Sequence, residues 1–192
     1  MKKVLVLTAH PDDLELACGG TVARFVDEGV EVTNLIVCSN VPHKKYVPES
    51  SKILGFNPLY LEHRDESITR EVVAEIEGLI DISSYDLLIT HWKEDWHQDH
   101  RFCHNLGNSL RRKQPLNVWY MNAYPYCQKY TSFDANVFVD ITKYIEQKKN
   151  SILCYKNVST KWTKDTEHLT AYRGAFIETQ HAEIFKADTL IV

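Results

Sequence analysis

Membrane-length apolar runs, paired cysteines and surplus positive charge are all missing from this sequence, and each absence removes a class of protein. A membrane helix takes roughly 20 consecutive apolar residues. No stretch of the chain comes near that, so no transmembrane segment is expected. The start, Met1-Lys2-Lys3 followed by Val4-Leu5-Val6-Leu7, imitates a secretion signal, but its apolar run is short and meets Asp12-Asp13 where a cleavage site would stand. It reads as a first strand. The five cysteines, Cys18, Cys38, Cys103, Cys127 and Cys154, are odd in number, widely spaced and free of any Cys-x-x-Cys pair. They suit reduced thiols in a cytoplasmic protein rather than a disulfide framework. Lys and Arg number 22 against 26 Asp and Glu, a net charge of −4, so no nucleic-acid partner is expected. The short basic run Arg111-Arg112-Lys113 suits the negative end of a helix dipole, as a solvated face.

Several signatures are absent too. There is no Gly-x-Gly-x-x-Gly or Gly-x-x-x-x-Gly-Lys-Ser/Thr for nucleotides, no Gly-x-Ser-x-Gly nucleophile elbow and no His-Glu-x-x-His of the common zinc proteases. None of the cysteines stands in an evident basic loop that would activate a thiol. No linker rich in Gly, Ser or Pro, no repeat and no low-complexity segment divides the chain. One domain over residues 1–192 is expected, and 192 residues suffice for a substantial core.

What is present is an alternation of strand and helix signals. Val4 to Thr8 is an apolar, β-branched run that suits a strand covered on both faces. After Gly19-Gly20, Thr21 is a good helix cap, and Val22, Ala23, Phe25 and Val26 keep helical spacing until Gly29. A strand from Val30 to Cys38 completes a β-α-β unit, for which a right-handed crossover is the rule. Helices follow near Pro48–Leu54, Thr69–Ile82 and His100–Arg112, and strands at Leu59–Leu61, Leu87–Thr90 and Val118–Met121. This is the pattern of a doubly wound α/β fold, a mostly parallel sheet with helices on both faces. Beyond Tyr124 the signals weaken to a strand at Val137–Val139, a helix near Thr142–Tyr155 and a strand-like end, Leu190–Val192, an elaboration of the same domain.

In open α/β sheets, ligands bind beyond the carboxyl ends of the strands. Two loops that directly follow strands stand out there: Ala9-His10-Pro11-Asp12-Asp13 and Asp95-Trp96-His97-Gln98-Asp99-His100. They hold imidazoles and carboxylates, the nitrogen and oxygen donors that zinc accepts. A turn after Pro11 can fold His10 and Asp13 toward one point, leave Asp12 to aim elsewhere, and let His100 close the set. Asp-rich turns and His-Asp strings also serve as plain helix caps, and only their joint occurrence after two strands favours a site.

The first loop continues as Leu14-Glu15-Leu16 and Cys18-Gly19-Gly20-Thr21, and the whole run resembles the first signature of the PIG-L/LmbE family of zinc-dependent N-deacetylases. Asp95-x-His97-x-Asp99-His100 is similar to the second. Phe138-Val139-Asp140-Ile141-Thr142, with Lys148 and Lys149 behind it, is similar to a weaker C-terminal pattern. The resemblance implies a Rossmann-like fold with its active site at the C-terminal edge of the strands. It implies His10, Asp13 and His100 as ligands of Zn2+ or another divalent metal such as Fe2+, Asp12 as general base and His97, protonated, as oxyanion stabiliser. Asp99 would orient His97 and favour its charged form. The substrate would be a small N-acyl amino sugar or conjugate, with N-acetyl the expected group, as in N-acetylglucosamine.

Around these loops, His91, Trp92 and Trp96 suit either a sugar-binding wall or ordinary packing. His63-Arg64-Asp65-Glu66 follows the third strand; Asp65 matches a family position that binds sugar hydroxyls, and Arg64 stands beside it, although a surface salt bridge is the ordinary fate of both. The arginine that many relatives place between Asn40 and Pro48 is absent, with His43, Lys44 and Lys45 there instead. Leu14 replaces the familiar glutamate after the two aspartates, and Glu15 stands one position later. His168 and His181 are read as structural or surface residues. The rival to an enzyme is a non-catalytic α/β module that binds a metal or a sugar; Asp12 and His97 speak against it, because binding alone needs neither. Specific substrate and oligomeric state are left open.

Overall fold

The computed structural model describes residues 1–63, 70–123, 133–156 and 160–189, with the backbone alone at 113 and 189. Strands β1 (Lys3–Thr8), β2 (Glu31–Ile36), β3 (Asn57–Tyr60), β4 (Leu87–His91) and β5 (Asn117–Met121) alternate with helices α1 (Asp13–Asp27), α2 (Val47–Leu54), α3 (Arg70–Leu79) and α4 (Gln98–Leu110). After them come β6 (Val137–Asp140), α5 (Ile145–Leu153), α6 (Thr160–Gly174) and β7 (Ala182–Thr189). The sheet order is β3-β2-β1-β4-β5-β7-β6. β1 to β5 are parallel, and β7 runs antiparallel to both β5 and β6. The fold is a mostly parallel α/β sheet with helices on both faces.

β1 shows why. Its side chains alternate between faces, as the pleat requires. Val4 and Val6 join the core under α1 and α2, whereas Leu5 and Leu7 join the core under α3 and α4. A strand covered on both sides is apolar at every inner position, which is how it reads in sequence. Gly29 and Gly55, with φ of +80° and +82°, close α1 and α2 in the left-handed region that favours glycine.

The C-terminal part extends the sheet. The strand expected at Leu190–Val192 lies outside the described residues, and β7 and α6 were not anticipated. β7 turns Glu183, Phe185 and Ala187 to the buried side, so a carboxylate interrupts its apolar face. α6 buries Thr163, Thr166, Thr170 and Arg173 in place of an apolar stripe. Neither element carries a hydrophobic period to detect.

Glu183 has a definite task. α1 breaks at Cys18 (φ −140°, ψ 17°). A break leaves carbonyls unpaired on one side and N–H groups on the other. The Lys148 Nζ donates to the carbonyls of Glu15 (2.8 Å) and Leu16 (2.9 Å). Glu183 accepts from the N–H groups of Gly20 (3.0 Å) and Thr21 (2.7 Å). The two side chains meet at 2.6 Å, both fully buried. Gly20 is required for close approach, since a Cβ there would lie 2.7 Å from Ile141.

Removing one partner from such a buried pair strands the other's charge, at a cost of about 3–5 kcal/mol. Lys148→Met should therefore lower unfolding stability by that order in urea titrations. Lys148→Met with Glu183→Leu should recover part of the loss. A single variant that unfolds at the wild-type midpoint would show that the pair is dispensable.

Candidate metal centre and catalytic site

The strand order reverses between β1 and β4, so the loops that leave these two strands diverge and open a crevice at the sheet edge. Both expected motifs lie there. In the first, the His10 N–H donates to Asp13 Oδ2 at 2.6 Å, and the Asp13 N–H returns to the His10 carbonyl at 3.3 Å. Asp12 occupies the N-cap of α1, yet its side chain makes no capping hydrogen bond. Its carboxylate is not spent on the helix.

Asp13 is the buried hub. Its Oδ2 lies 3.6 Å from His10 Nδ1 and 3.3 Å from His91 Nε2, and its Oδ1 lies 3.2 Å from His100 Nε2. His10, Asp13 and His100 are thus brought together. Ligand atoms of His10, His97 and His100, and separately of Asp13, His91 and His100, all lie within 4.8 Å of one another. The second group is a possible metal-binding triad in which His91 was not foreseen, having been read as wall or packing. Its position at the carboxyl end of β4, one residue before the loop, is the signal that pointed to it.

The two buried histidines are not equivalent. His91 Nε2 accepts the Ala9 N–H at 3.2 Å, so its lone pair is engaged. Its Nδ1 has no hydrogen-bond partner among the described residues. His100 instead turns Nδ1 to Asp95 Oδ2 at 2.9 Å, which presents Nε2 to Asp13. Asp95 also accepts the His97 N–H on Oδ1 at 2.8 Å. This carboxylate was quoted in the motif without a role; it holds an imidazole from behind, the usual support of a metal-binding histidine.

The charges follow this wiring. Burial disfavours the cationic form of His100, but Asp13 and Asp95 outweigh it and raise its pKa to about 10. Burial opposes ionisation of Asp13, and the imidazoles of His100, His91 and His10 hold it well below the usual carboxylate range. His91 is pushed down to about 4 by burial and the His100 charge. Asp12 is raised to about 6 by burial and then by Asp13. A buried carboxylate balanced by a proton on a neighbouring imidazole is a place where a divalent cation can take the proton's part. The nitrogen and oxygen donors fit zinc or ferrous iron.

Asp99, expected to orient His97 and favour its charged form, faces two imidazoles. The Asp99 carboxylate was assigned to a charged His97, but it lies 2.8 Å from His10 Nε2 and 3.9 Å from His97 Nδ1. His97 is the N-cap of α4, and its Nδ1 accepts the Asp99 backbone N–H at 3.2 Å. That bond keeps Nδ1 unprotonated. Burial and the nearby His100 and His10 also lower its pKa. The neutral ring then carries its proton on Nε2.

Around the centre, Trp92 packs edge-on against Tyr120 and Phe133, at 5.7 and 5.5 Å between ring centroids, whereas Trp96 stays half exposed. Arg64 and Asp65 lie outside the described residues. His181 bonds Thr170 Oγ1 at 3.0 Å, and His168 is exposed on α6, consistent with structural and surface roles.

Residues 5–110, which carry both loops, match the family model described as PIG-L, GlcNAc-PI de-N-acetylase. The chain belongs to the PIG-L family. That description is of an N-deacetylase, an enzyme that hydrolyses an amide bond. Among PIG-L relatives, diacetylchitobiose deacetylase of Thermococcus kodakarensis is 23% identical over 220 residues, covering 95% of this chain and 82% of that protein. The 1D-myo-inositol 2-acetamido-2-deoxy-alpha-D-glucopyranoside deacetylase of Tsukamurella paurometabola is 34% identical over 62 residues. That match covers 28% of this chain and spans only 20% of the relative's length. The fold is also similar to that of GalB, the 4-carboxy-2-hydroxymuconate hydratase of Pseudomonas putida KT2440, with TM-score 0.86 and 14% identity over 100% of this chain and 98% of that one. At that identity the likeness shows the fold alone. Among the described residues, no helix is long and apolar enough to cross a membrane.

The capping bond of His97 makes a spectroscopic prediction. Nitrogen-15 shifts of the imidazole at neutral pH should show one protonated nitrogen, Nε2; a ring protonated on Nδ1 would contradict the N-cap geometry. His97→Ala should also cost about 1 kcal/mol of stability through loss of the cap.

Proposed function

We propose that this chain is a metal-dependent hydrolase, one domain over residues 1–192, that removes an N-acyl group, acetyl in the first instance, from an amino sugar or amino-sugar conjugate. The observation that carries the reading is Asp12. It is a carboxylate at a helix N-cap that does no capping, beside a cluster of buried imidazoles and a second carboxylate. A binding module needs no such group.

His10, Asp13 and His100 would hold the ion, Zn2+ or alternatively Fe2+, with Asp95 behind His100 and Asp99 behind His10. When bound, the ion supplies a Lewis acid for the acyl carbonyl and acidifies water. Asp12 accepts the proton of the attacking water and hands it to the leaving nitrogen. Its pKa near 6 suits a group that must take and then release a proton close to neutrality. His97, as a neutral Nε2–H donor, hydrogen-bonds the oxyanion as it develops. Asp65 and Arg64 are proposed as sugar contacts on the resemblance alone. The names of the two deacetylase relatives support an N-acetyl amino sugar as substrate. The reduced thiols of Cys18, Cys103 and Cys154 fit a reducing cytoplasm.

Two experiments test the reading. Asp12→Asn should bind one equivalent of Zn2+ like wild type and lose roughly 100-fold or more in acetate release from a panel of N-acetyl amino sugars and their conjugates. Wild-type turnover in that variant would falsify Asp12 as base. Against a chromophoric chelator, His100→Ala should abolish stoichiometric zinc uptake, and Asp95→Ala should weaken it by about 10–100-fold. Unchanged affinity in both variants would remove His100 from the ligand set. Release of no amine from any member of the panel would turn attention to water addition, the reaction in the name of the hydratase that shares the fold.

A further inference from the structure

Asp12 is aimed by the backbone around it. Its side chain makes no capping hydrogen bond, and His43 Nε2 stands off from its Oδ1 at 4.0 Å. Its direction is therefore set by the two peptide planes that flank it, since planar units leave only φ and ψ to vary at the α-carbon between them. The later plane is held by the first turn of α1, where the Leu16 N–H donates to the Asp12 carbonyl at 3.1 Å. The earlier plane ends in the Pro11 carbonyl, which accepts the Tyr155 hydroxyl. The proline ring fixes φ, so ψ is the one soft angle left at Pro11, and the direction of its carbonyl defines it.

Tyr155 is a rigid support for that carbonyl. It stands two residues beyond α5, buried, with its ring edge-on to Tyr46 at 5.9 Å between centroids. Its hydroxyl lies 3.1 Å from Ser50 Oγ and 2.9 Å from Glu15 Oε1, so groups on α1 and α2 bear on the same oxygen. Burial and the Glu15 carboxyl push its pKa up, and the hydroxyl keeps the proton it donates. The metal ligands have a separate tie. The His10 N–H donates to Asp13 Oδ2 at 2.6 Å and the Asp13 N–H to the His10 carbonyl at 3.3 Å, so these two residues hold each other across the turn.

We propose that Tyr155 is a positioning residue for Asp12, its hydroxyl holding the Pro11 carbonyl so that the carboxylate faces the attacking water. This rests on the deacylase reading above, in which Asp12 is the base. A reacting group misplaced by about 1 Å costs on the order of 100-fold in rate. Loss of one hydrogen bond behind the turn therefore reaches the chemistry without touching substrate or metal ligands.

The test is a double-mutant cycle. Acetate release from N-acetyl amino sugars is measured for zinc-loaded wild type, Tyr155→Phe, Asp12→Asn and the double variant. Tyr155→Phe should lose roughly ten-fold or more in kcat, with KM and zinc affinity unchanged. In the Asp12→Asn background the same change should cost little further, because no base is left to aim; a purely structural hydroxyl would lower the rate by the same factor in both backgrounds. Tyr144→Phe is the control. Its hydroxyl bonds Asp27 at 2.7 Å at the far end of α1, so its removal should lower the melting temperature and leave kcat at the wild-type value. Should Tyr155→Phe fail to fold, Ser50→Ala, which withdraws the hydroxyl beside that of Tyr155, should show the same loss confined to kcat, at smaller size. Wild-type kcat in the variant that folds, or an equal loss in both backgrounds, would overturn the Tyr155 assignment and leave the deacylase reading standing. Absence of acetate from every sugar with wild type would remove the deacylase reading, and this proposal with it.

Discussion

The buried contact between Lys148 and Glu183 is the constraint on which the site depends. A helix that begins at the Asp12–Asp13 turn and then breaks after five residues would leave carbonyls and N–H groups stranded in the core. One cation and one anion fill both sides of the break, and each neutralises the other. The geometry requires α5 and β7 to lie against α1, so the C-terminal extension is part of the mounting of the first loop. Tyr155 reinforces it, donating to the Pro11 carbonyl and lying 2.9 Å from Glu15 Oε1. Burial raises the Glu15 carboxyl to about 8, so it stands protonated near neutrality as a member of this network. The turn that carries Asp12 is thereby held from below by residues far along the chain.

With the turn held, electrostatics distributes the roles. Asp12 and Asp13 are adjacent in sequence, yet Asp13 is surrounded by imidazoles and kept ionised, whereas Asp12 is raised toward neutrality. Two carboxylates in different environments can divide into a ligand and a base. The histidines divide in the same way. His100 is backed by Asp95 and faces Asp13, His91 has its lone pair occupied by Ala9, and His97 is pinned by the Asp99 amide in the first turn of α4. Ring identity alone distinguishes none of them; the hydrogen bond on the far nitrogen does.

Much of this was legible in the residues. The parallel half of the sheet announces itself because each buried strand is apolar on both faces and each helix carries its own period. The two loops are legible because their chemistry is concentrated in short strings after strands. β7 and α6 were not, since Glu183 and the threonine face of α6 replace the apolar positions that a pattern search needs. The nearer partner of Asp99, His10, was not legible, because spacing cannot tell whether a carboxylate turns to the histidine on its own loop or to one after another strand. His43 gave no signal beyond standing where an arginine was expected.

By itself, then, the sequence determined the fold class, the family and the two loops that form the candidate metal centre, since periodicity and short motifs are local properties. Only the tertiary structure decided which carboxylate supports which imidazole, that His91 lies under the cluster, and that His43 faces Asp12. Those pairings follow from strand order and from a helix break bridged across 133 positions by Lys148 and Glu15, and long-range contacts of that kind have no local pattern in the chain.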